Sequence, residues 1–315
     1  MIRAILFCLI FFGLNAALKA QEDFARVDAV IQLYPAQAQS AEQLATFINR
    51  DFSSEADKLR AIYGWIINNI AYDPAEYKAL DYSFTTVAER NKKQEKFREQ
   101  LITRVLEKQV AVCEGYSYLF ERLCELTGVQ SYLVRGDSKA SLDDIARSFD
   151  VNHMWNVAYI SGQAFLFDPT WGAGRYTDRF IKDPTYRFFK TDPQHFSYSH
   201  FPQLQEDQLL EFPLDRAVFE RMPIIVDEAI SDYALLSPQE GVLQSTNSSG
   251  RWFFSLPVPK GLTVSLSFDG GGIKPVKTTW NKETATLDFE MEIPLGAKFL
   301  IVHLDERPGV VYLID

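Results

Sequence analysis

The chain has 315 residues, 47% of them hydrophobic and 14% aromatic, enough to bury the core of one large domain or two ordinary ones. With 32 basic against 42 acidic residues and no long basic run, the composition excludes a nucleic-acid footprint. The acidic balance points to a soluble surface and carries no further functional information.

Residues 1–20 differ in kind from the rest. Arg3 gives a positive start, Ile5–Leu14 is an apolar run too short for a spanning helix, and Leu18-Lys19-Ala20 offers a small residue before Gln21-Glu22-Asp23. This pattern predicts a signal peptide over 1–20, hence an exported protein, periplasmic or extracellular, with no integral membrane span in the mature chain. Beyond Cys8 only Cys113 and Cys124 remain. Eleven residues apart on one helix, they would stand about 16 Å apart along its axis, too far for a disulfide. Cys124, among Phe120, Leu123 and Leu126, reads as a small buried apolar side chain.

Taken in order, residues 24–52 read as helical, with Ser40-Ala41-Glu42-Gln43 as a capping box. A second helix starts at Ser54, carries Leu59, Ile62 and Ile66 at helical spacing and ends near Asn68-Asn69. Residues 75–92 read as a surface excursion and Lys92–Lys108 as a helix with a solvated charged face. A helix from Cys113 carries Leu119, Leu123 and Leu126 and stops at Gly128. Strands follow over Ser131–Val134, Asn152–Ile160 and Gln163–Asp168, the last two joined by Ser161-Gly162, with a polar solvated loop over Gly136–Asp150. From Pro169 to Pro202 aromatics, Gly and Pro crowd together and regular structure should be sparse; a connector spans 203–223. The last ninety residues alternate apolar and polar positions over Trp252–Leu256, Leu262–Phe268 and Thr286–Ile293, with turns at Asp269-Gly270 and Pro308-Gly309. That pattern predicts a small β-sandwich. Asn247-Ser248-Ser249 is a glycosylation sequon, meaningful only on a eukaryotic secretory route.

The chemistry centres on Cys113. At a helix start the free N–H groups and the dipole favour thiolate and can hold an oxyanion. Glu114 opposes this and should turn outward, while Gly115 leaves room for another segment to pass close. If Ser161-Gly162 is a two-residue turn, Ile160 faces Gln163, Trp155 falls opposite Asp168 and His153 opposite Thr170. His153 and Asp168 are then diagonal neighbours on one face, within reach of an imidazole–carboxylate hydrogen bond. The roles follow: Cys113 attacks a carbonyl, His153 takes its proton and protonates the leaving amine, and Asp168 fixes the imidazole tautomer. Tyr72 is the expected second oxyanion donor, and Tyr116, Trp155 and Trp171 are expected near a substrate cleft. His200, in His-Phe-Pro, reads as a loop pin, and His195 and His303 as surface residues.

Cys113-Glu114-Gly115-Tyr116, His153-x-Trp155-Asn156 and Asp168-Pro169-Thr170-Trp171-Gly172 together resemble the transglutaminase-like superfamily, the permuted relative of the papain fold. Trp65-Ile66-x-x-Asn69-Ile70-Ala71-Tyr72-Asp73 is similar to that family's lead-in segment. Tyr186-Arg187-Phe188-Phe189, His200-Phe201-Pro202 and Gln208-Leu209-Leu210 look like the branch shared by the kyphoscoliosis peptidase and the fungal cytokinesis factors, although Asp207 stands where that branch often has Trp. The resemblance covers roughly residues 40–215. It implies an α+β fold with the nucleophile helix packed on a small antiparallel sheet, and thiol chemistry on peptide or glutamine amides with neither cofactor nor metal. The expected organisation is a transglutaminase-like domain over 21–215 and an all-β sandwich-like domain over 216–315. The partner would be a protein or peptide substrate, with a cell-envelope partner for the C-terminal domain. Hydrolysis and transamidation differ only in whether water or an amine resolves the thioester, and both stay open. The rival reading is a non-catalytic interaction protein that keeps the fold.

Overall fold

A computed structural model describes residues 23–77, 86–245 and 251–315. The signal-peptide segment and the sequon at Asn247 lie outside the described residues. The stretch expected to be helical over 24–52 is two helices, α1 (Ala25–Ile31) and α2 (Ala41–Asp51). Pro35 separates them, because the residue before a proline is pushed out of the helical region. The indole of Trp65 donates to the Pro35 carbonyl at 3.0 Å and pins the break. Ser40 caps α2 by accepting from the Gln43 N–H. The Gln43 side chain accepts from Gln39 rather than Ser40, so the expected box closes one residue early.

Helix α3 (Glu55–Asn69), capped by Ser54, leads into the short strand β1 (Ala71–Tyr72). Helix α4 (Val87–Lys108) starts at a Thr86 cap, five residues ahead of the Lys92 start expected. Strand β2 (Val110–Ala111) pairs in parallel with β1 and sets Tyr72 beside Ala111. Helix α5 (Cys113–Thr127) then runs to Gly128, whose φ of 76° closes it as a left-handed cap.

Strands β3 (Ser131–Ser138), β4 (His153–Ile160) and β5 (Gln163–Phe167) follow. Ser161 and Gly162 both have positive φ and form the two-residue turn, so Ile160 faces Gln163 as the spacing requires. The ladder stops at Asn156–Phe167. Asp168 therefore leaves the sheet instead of pairing with Trp155, since Pro169 has no N–H to donate. After it come α6 (Pro169–Gly172), the hairpin β6 (Gly174–Tyr176) and β7 (Phe180–Lys182), β8 (Phe189–Thr191), α7 (Pro193–Ser197) and β9 (His200–Pro202). The site sheet is antiparallel, in the order β8-β5-β4-β3-β9. Leu119, Phe120, Leu123 and Cys124 of α5 share one apolar core with α2, α3 and Ala158 of β4. Val134, Trp155, Val157, Leu166 and Phe196 form a second, smaller one.

Helix α8 (Arg216–Arg221) opens the C-terminal part. There β10 (Ile224–Ile225), β11 (Val242–Leu243), β13 (Val264–Phe268), β14 (Lys274–Pro275), β17 (Phe299–Leu304) and β18 (Arg307–Ile314) make one sheet. A second sheet holds β12 (Trp252–Leu256), β15 (Thr279–Asn281) and β16 (Thr286–Met291). Phe254, Leu256, Leu287 and Phe289 from the smaller sheet meet Leu266, Leu300, Val302 and Tyr312 from the larger in one core. The fold is α+β with a sheet-rich C-terminal region.

Two expectations about burial also fail. Asp137, Ser138 and Lys139 do not lie on a solvated loop: β3 runs through Ser138, and Asp137 and Lys139 are buried. The Lys139 ammonium donates to the carbonyls of Glu220 (2.8 Å) and Met222 (3.1 Å) and lies over the Phe219 ring, which ties the site sheet to the end of α8. Asp137 accepts from the Asp150 N–H and from Asn152 and pairs with Arg147. His303 is not on the surface either; it is buried, with Nε2 2.8 Å from the Ser267 hydroxyl on the neighbouring strand. His195 is half-buried.

Candidate active site

Cys113 is the first residue of α5, and its N-cap is Val112, which has no side-chain oxygen to cap with. The first N–H groups of a helix have no intrahelical acceptor, so this first turn keeps donors available beside the thiol. The strand pair β1–β2 brings Tyr72 to the same place from the other side. Gly115 permits that packing: a Cβ there would stand 2.8 Å from Ala111 Cβ and from Val105 Cγ2. Glu114, expected to turn outward, is instead mostly buried on the cleft wall and pairs with Arg135 of β3 at 3.2 Å, which compensates its charge next to the thiol.

His153 opens β4. Its Nε2 lies 2.7 Å from Asp168 Oδ2, which leaves Nδ1 for the Cys113 thiol on the wall of the same cleft. Asp168 is fully buried and accepts four hydrogen bonds. Oδ1 takes the N–H groups of Thr170 (2.8 Å) and Trp171 (3.1 Å), so the residue also caps α6. Oδ2 takes His153 and, at 3.1 Å, Nε2 of His200. The His200 Nδ1 lies 2.9 Å from the Ser199 hydroxyl.

The electrostatics follow from these contacts. Burial alone would raise the Asp168 carboxyl, but the charge and hydrogen bond of His153, and then His200, hold it well below the usual carboxylate range. Burial disfavours the His153 imidazolium, yet Asp168 and then the neighbouring Cys113 outweigh it and push the group up to about 10. His200, without a carboxylate of its own, is pushed down to about 4 by burial, with Asp168 opposing. Thus His153 is cationic and His200 neutral at neutral pH. Tyr72 is raised, first by burial and then by Cys113, and stays a hydroxyl donor.

A cleft of about 250 Å³ opens onto Cys113 and His153, lined by Tyr72, Pro74, Tyr77, Glu114, Arg135 and Val151 among others. Tyr77 is 65% exposed at its rim. A second hollow, of about 320 Å³, is walled by Arg98, Glu121 and Glu125. Arg98 pairs with both of those glutamates, and Cys113 is not among its lining residues.

Of the residues singled out from sequence, Cys113, His153, Asp168 and Tyr72 come together. Tyr116 and Trp155 do not line the cleft: both are fully buried. The Tyr116 hydroxyl donates to the Ile70 carbonyl at 2.9 Å, and Trp155 packs edge-on against Phe196 and His200. Trp171 is half-buried and lies behind the site, its ring 4.5 Å from His200. Sequence reasoning missed Arg135, Tyr77 and Val151 on the cleft wall, and it placed His200 on a loop instead of against Asp168. Only the His-Phe-Pro triplet pointed to His200. His153, Asp168 and His200 are the group among the described residues whose ligand atoms lie within 4.8 Å of one another. Their 2.7 and 3.1 Å separations are hydrogen-bond lengths, so an ion would have to displace protons and side chains to enter.

A thiol at a helix start, an imidazole on a strand and a carboxylate past the next strand define a class of fold on which cysteine-type catalysis can be built. The sequence model of the transglutaminase-like superfamily matches residues 42–169, which takes in all three side chains. The chain thus carries a transglutaminase-like domain. Within that class it is similar to the kyphoscoliosis peptidase of Homo sapiens, 33% identical over 184 residues, covering 57% of this chain and 26% of that protein. It is also similar to Hillarin of Drosophila melanogaster, 28% identical over 175 residues, covering 49% of this chain and 21% of that protein. The chain therefore spans about a quarter of the length of these curated relatives. A solved structure of a TGase matches with 20% identity and a TM-score of 0.29, over 56% of this chain and 40% of that one.

Proposed function

We propose that the protein is a cysteine-dependent acyl-transfer enzyme acting on peptide or glutamine amides through Cys113, His153 and Asp168. The observation that carries this reading is His153, held by a buried carboxylate on the wall of the open cleft that also exposes the Cys113 thiol. Cys113 Sγ attacks the amide carbonyl, and the oxyanion is received by first-turn N–H groups of α5 with Tyr72 as the second donor. The His153 imidazolium delivers its proton to the leaving nitrogen as the C–N bond breaks, leaving a thioester on Cys113. Water or an amine then attacks the thioester, with His153 as base, and restores the thiolate. Tyr77, Val151 and the Glu114–Arg135 pair would contact a peptide chain along the rim. Residues 1–20 support an exported address, and so cell-envelope or secreted peptides as substrates, with the sheet-rich C-terminal part available to an envelope partner.

The reading is tested with a panel of peptide amides and glutamine-bearing proteins, with and without a primary amine, on the full chain and on Cys113→Ala. Cleavage or ammonia release by the wild type alone is expected. Equal turnover by Cys113→Ala would overturn it, and incorporation of the amine against plain hydrolysis separates the two acyl acceptors.

A further inference from the structure

His200 is unused by the mechanism above, yet it is among the most deeply buried polar side chains of the molecule. It opens β9, at the edge of the site sheet, where the Ser138–His200 pairing fixes its backbone. Its ring is stacked on Phe196 with centroids 4.0 Å apart and is flanked by Trp171 at 4.5 Å and Trp155 at 5.2 Å. Four aromatic side chains counting Phe188 enclose it, and its polar neighbours are the Ser199 hydroxyl, the Phe196 carbonyl and Asp168. Since an ionised carboxylate only accepts, Nε2 carries the hydrogen, and Nδ1 then accepts from Ser199. Both imidazoles thus donate to one oxygen, Asp168 Oδ2, at 2.7 Å from His153 and 3.1 Å from His200. Asp168 Oδ1 is already committed to two backbone N–H groups and offers no alternative.

We propose that His200 is a positioning residue: it shares Asp168 Oδ2 with His153, fixes that oxygen and draws on its charge, so that His153 still releases its proton to the leaving nitrogen. The proposal rests on the acyl-transfer reading of Cys113, His153 and Asp168. A carboxylate serving His153 alone would hold the imidazolium more tightly and make it a poorer acid in the step that breaks the C–N bond. Sharing the oxygen with a neutral donor weakens that hold without adding a second positive charge. The titratable groups acting on His153 are Asp168 at the head of α6, and Cys113 from α5; those acting on His200 are Asp168 and His153. Tyr72, across the cleft, senses both Cys113 and Asp168 and stays neutral.

The chain has four histidines, so ¹⁵N-histidine NMR of the full protein reports each ring's protonation and tautomer. In the wild type His200 is expected as the neutral Nε2–H form at pH 7, and about half of His153 still protonated at pH 10. His200→Leu removes the donor. It should move the loss of the His153 proton up by about one pH unit, leaving about nine-tenths protonated at pH 10. His200→Gln keeps an N–H at the Nε2 position and should return the wild-type value. The same His153 titration in all three proteins, or a downward shift in His200→Leu, overturns the proposal. So does a cationic or Nδ1–H His200 in the wild type, which needs no variant to fold. Failure of the underlying reading has a separate signature: wild-type Cys113 alkylated by iodoacetamide at pH 7 no faster than an ordinary thiol.

Discussion

Asp168→Asn separates catalytic from structural roles at this site. The carboxylate has two backbone donors on Oδ1 and two imidazole donors on Oδ2. Asparagine offers one acceptor and one donor. The Thr170 and Trp171 N–H groups cannot change character, so the amide oxygen must face them and the amide NH₂ must face the histidines. His153 then accepts at Nε2 and carries its hydrogen on Nδ1, toward Cys113, the wrong tautomer for a base. Each of the four bonds loses about 1 kcal/mol on becoming neutral, while a buried amide is cheaper to desolvate than a carboxylate by a few kcal/mol. Folding stability should therefore change by no more than about 2 kcal/mol. Turnover, in contrast, should fall about 10³–10⁴-fold, the scale of a triad whose histidine is held in the wrong tautomer. Cys113 alkylation at pH 7, followed by peptide mass spectrometry, should slow, because a His153 that carries its hydrogen on Nδ1 no longer takes the thiol proton. Thermal melting run alongside shows whether the fold is kept. If Asp168→Asn stays folded and Cys113 is alkylated within twofold of the wild-type rate, the carboxylate–imidazole–thiol coupling is wrong.

The remaining predictions concern pH, packing and the second thiol. His153, raised to about 10, contributes stability that is full below its ordinary 6.5 and is lost as pH rises through 10. His200, lowered to about 4, resists a proton that the unfolded chain takes below 6.5, so stability also falls from pH 6.5 toward 4. Asp168, held low, adds a further loss as pH drops below the ordinary carboxylate range. Melting temperature should thus peak near pH 6.5, and His200→Gln should flatten the limb between 6.5 and 4; an unchanged limb would assign it to other groups. Tyr116→Phe removes the bond to the Ile70 carbonyl and should cost about 1 kcal/mol by urea unfolding, with Cys113 alkylation unchanged. Slower alkylation would put Tyr116 in the cleft after all. Lys139→Ala strands two carbonyls and removes the packed lysine stem over Phe219, for a loss of about 3 kcal/mol by the same assay; a loss under about 1 kcal/mol would mean the tie to α8 is unimportant. Burial pushes the Cys124 thiol up, so it should label only when the protein unfolds; native-state labelling at the Cys113 rate would contradict its place in the core.

Local chemistry carried much of the fold into the sequence. Ser161-Gly162 fixed a two-residue turn and with it the β4–β5 register, but the ladder ends at Asn156–Phe167 and Asp168 meets His153 from the head of α6. The caps at Ser54 and Gly128 and the helix start at Cys113 depend on near neighbours and could be read directly. What could not be read depends on partners far along the chain. Lys139 finds its carbonyls more than eighty residues later, and charged residues are exposed by default, so the solvated loop was the natural expectation. His200 reaches Asp168 only because β9 returns to pair with β3, a pairing that a three-residue strand does not announce. Trp155 and Tyr116 have the composition of cleft walls, but the depth at which a side chain stops is set by packing around it. The break at Pro35 was legible in principle and was overridden by the helical pattern on either side.

The central claim is that Cys113 forms a covalent thioester. Its most direct test is rapid acid quench of the full chain with an amide or activated ester substrate, followed by intact mass and peptide mapping. The account predicts an acyl increment on Cys113, absent in Cys113→Ala and discharged by water or an added amine. Turnover of the same substrate with no adduct on Cys113, undiminished in Cys113→Ala, would contradict it.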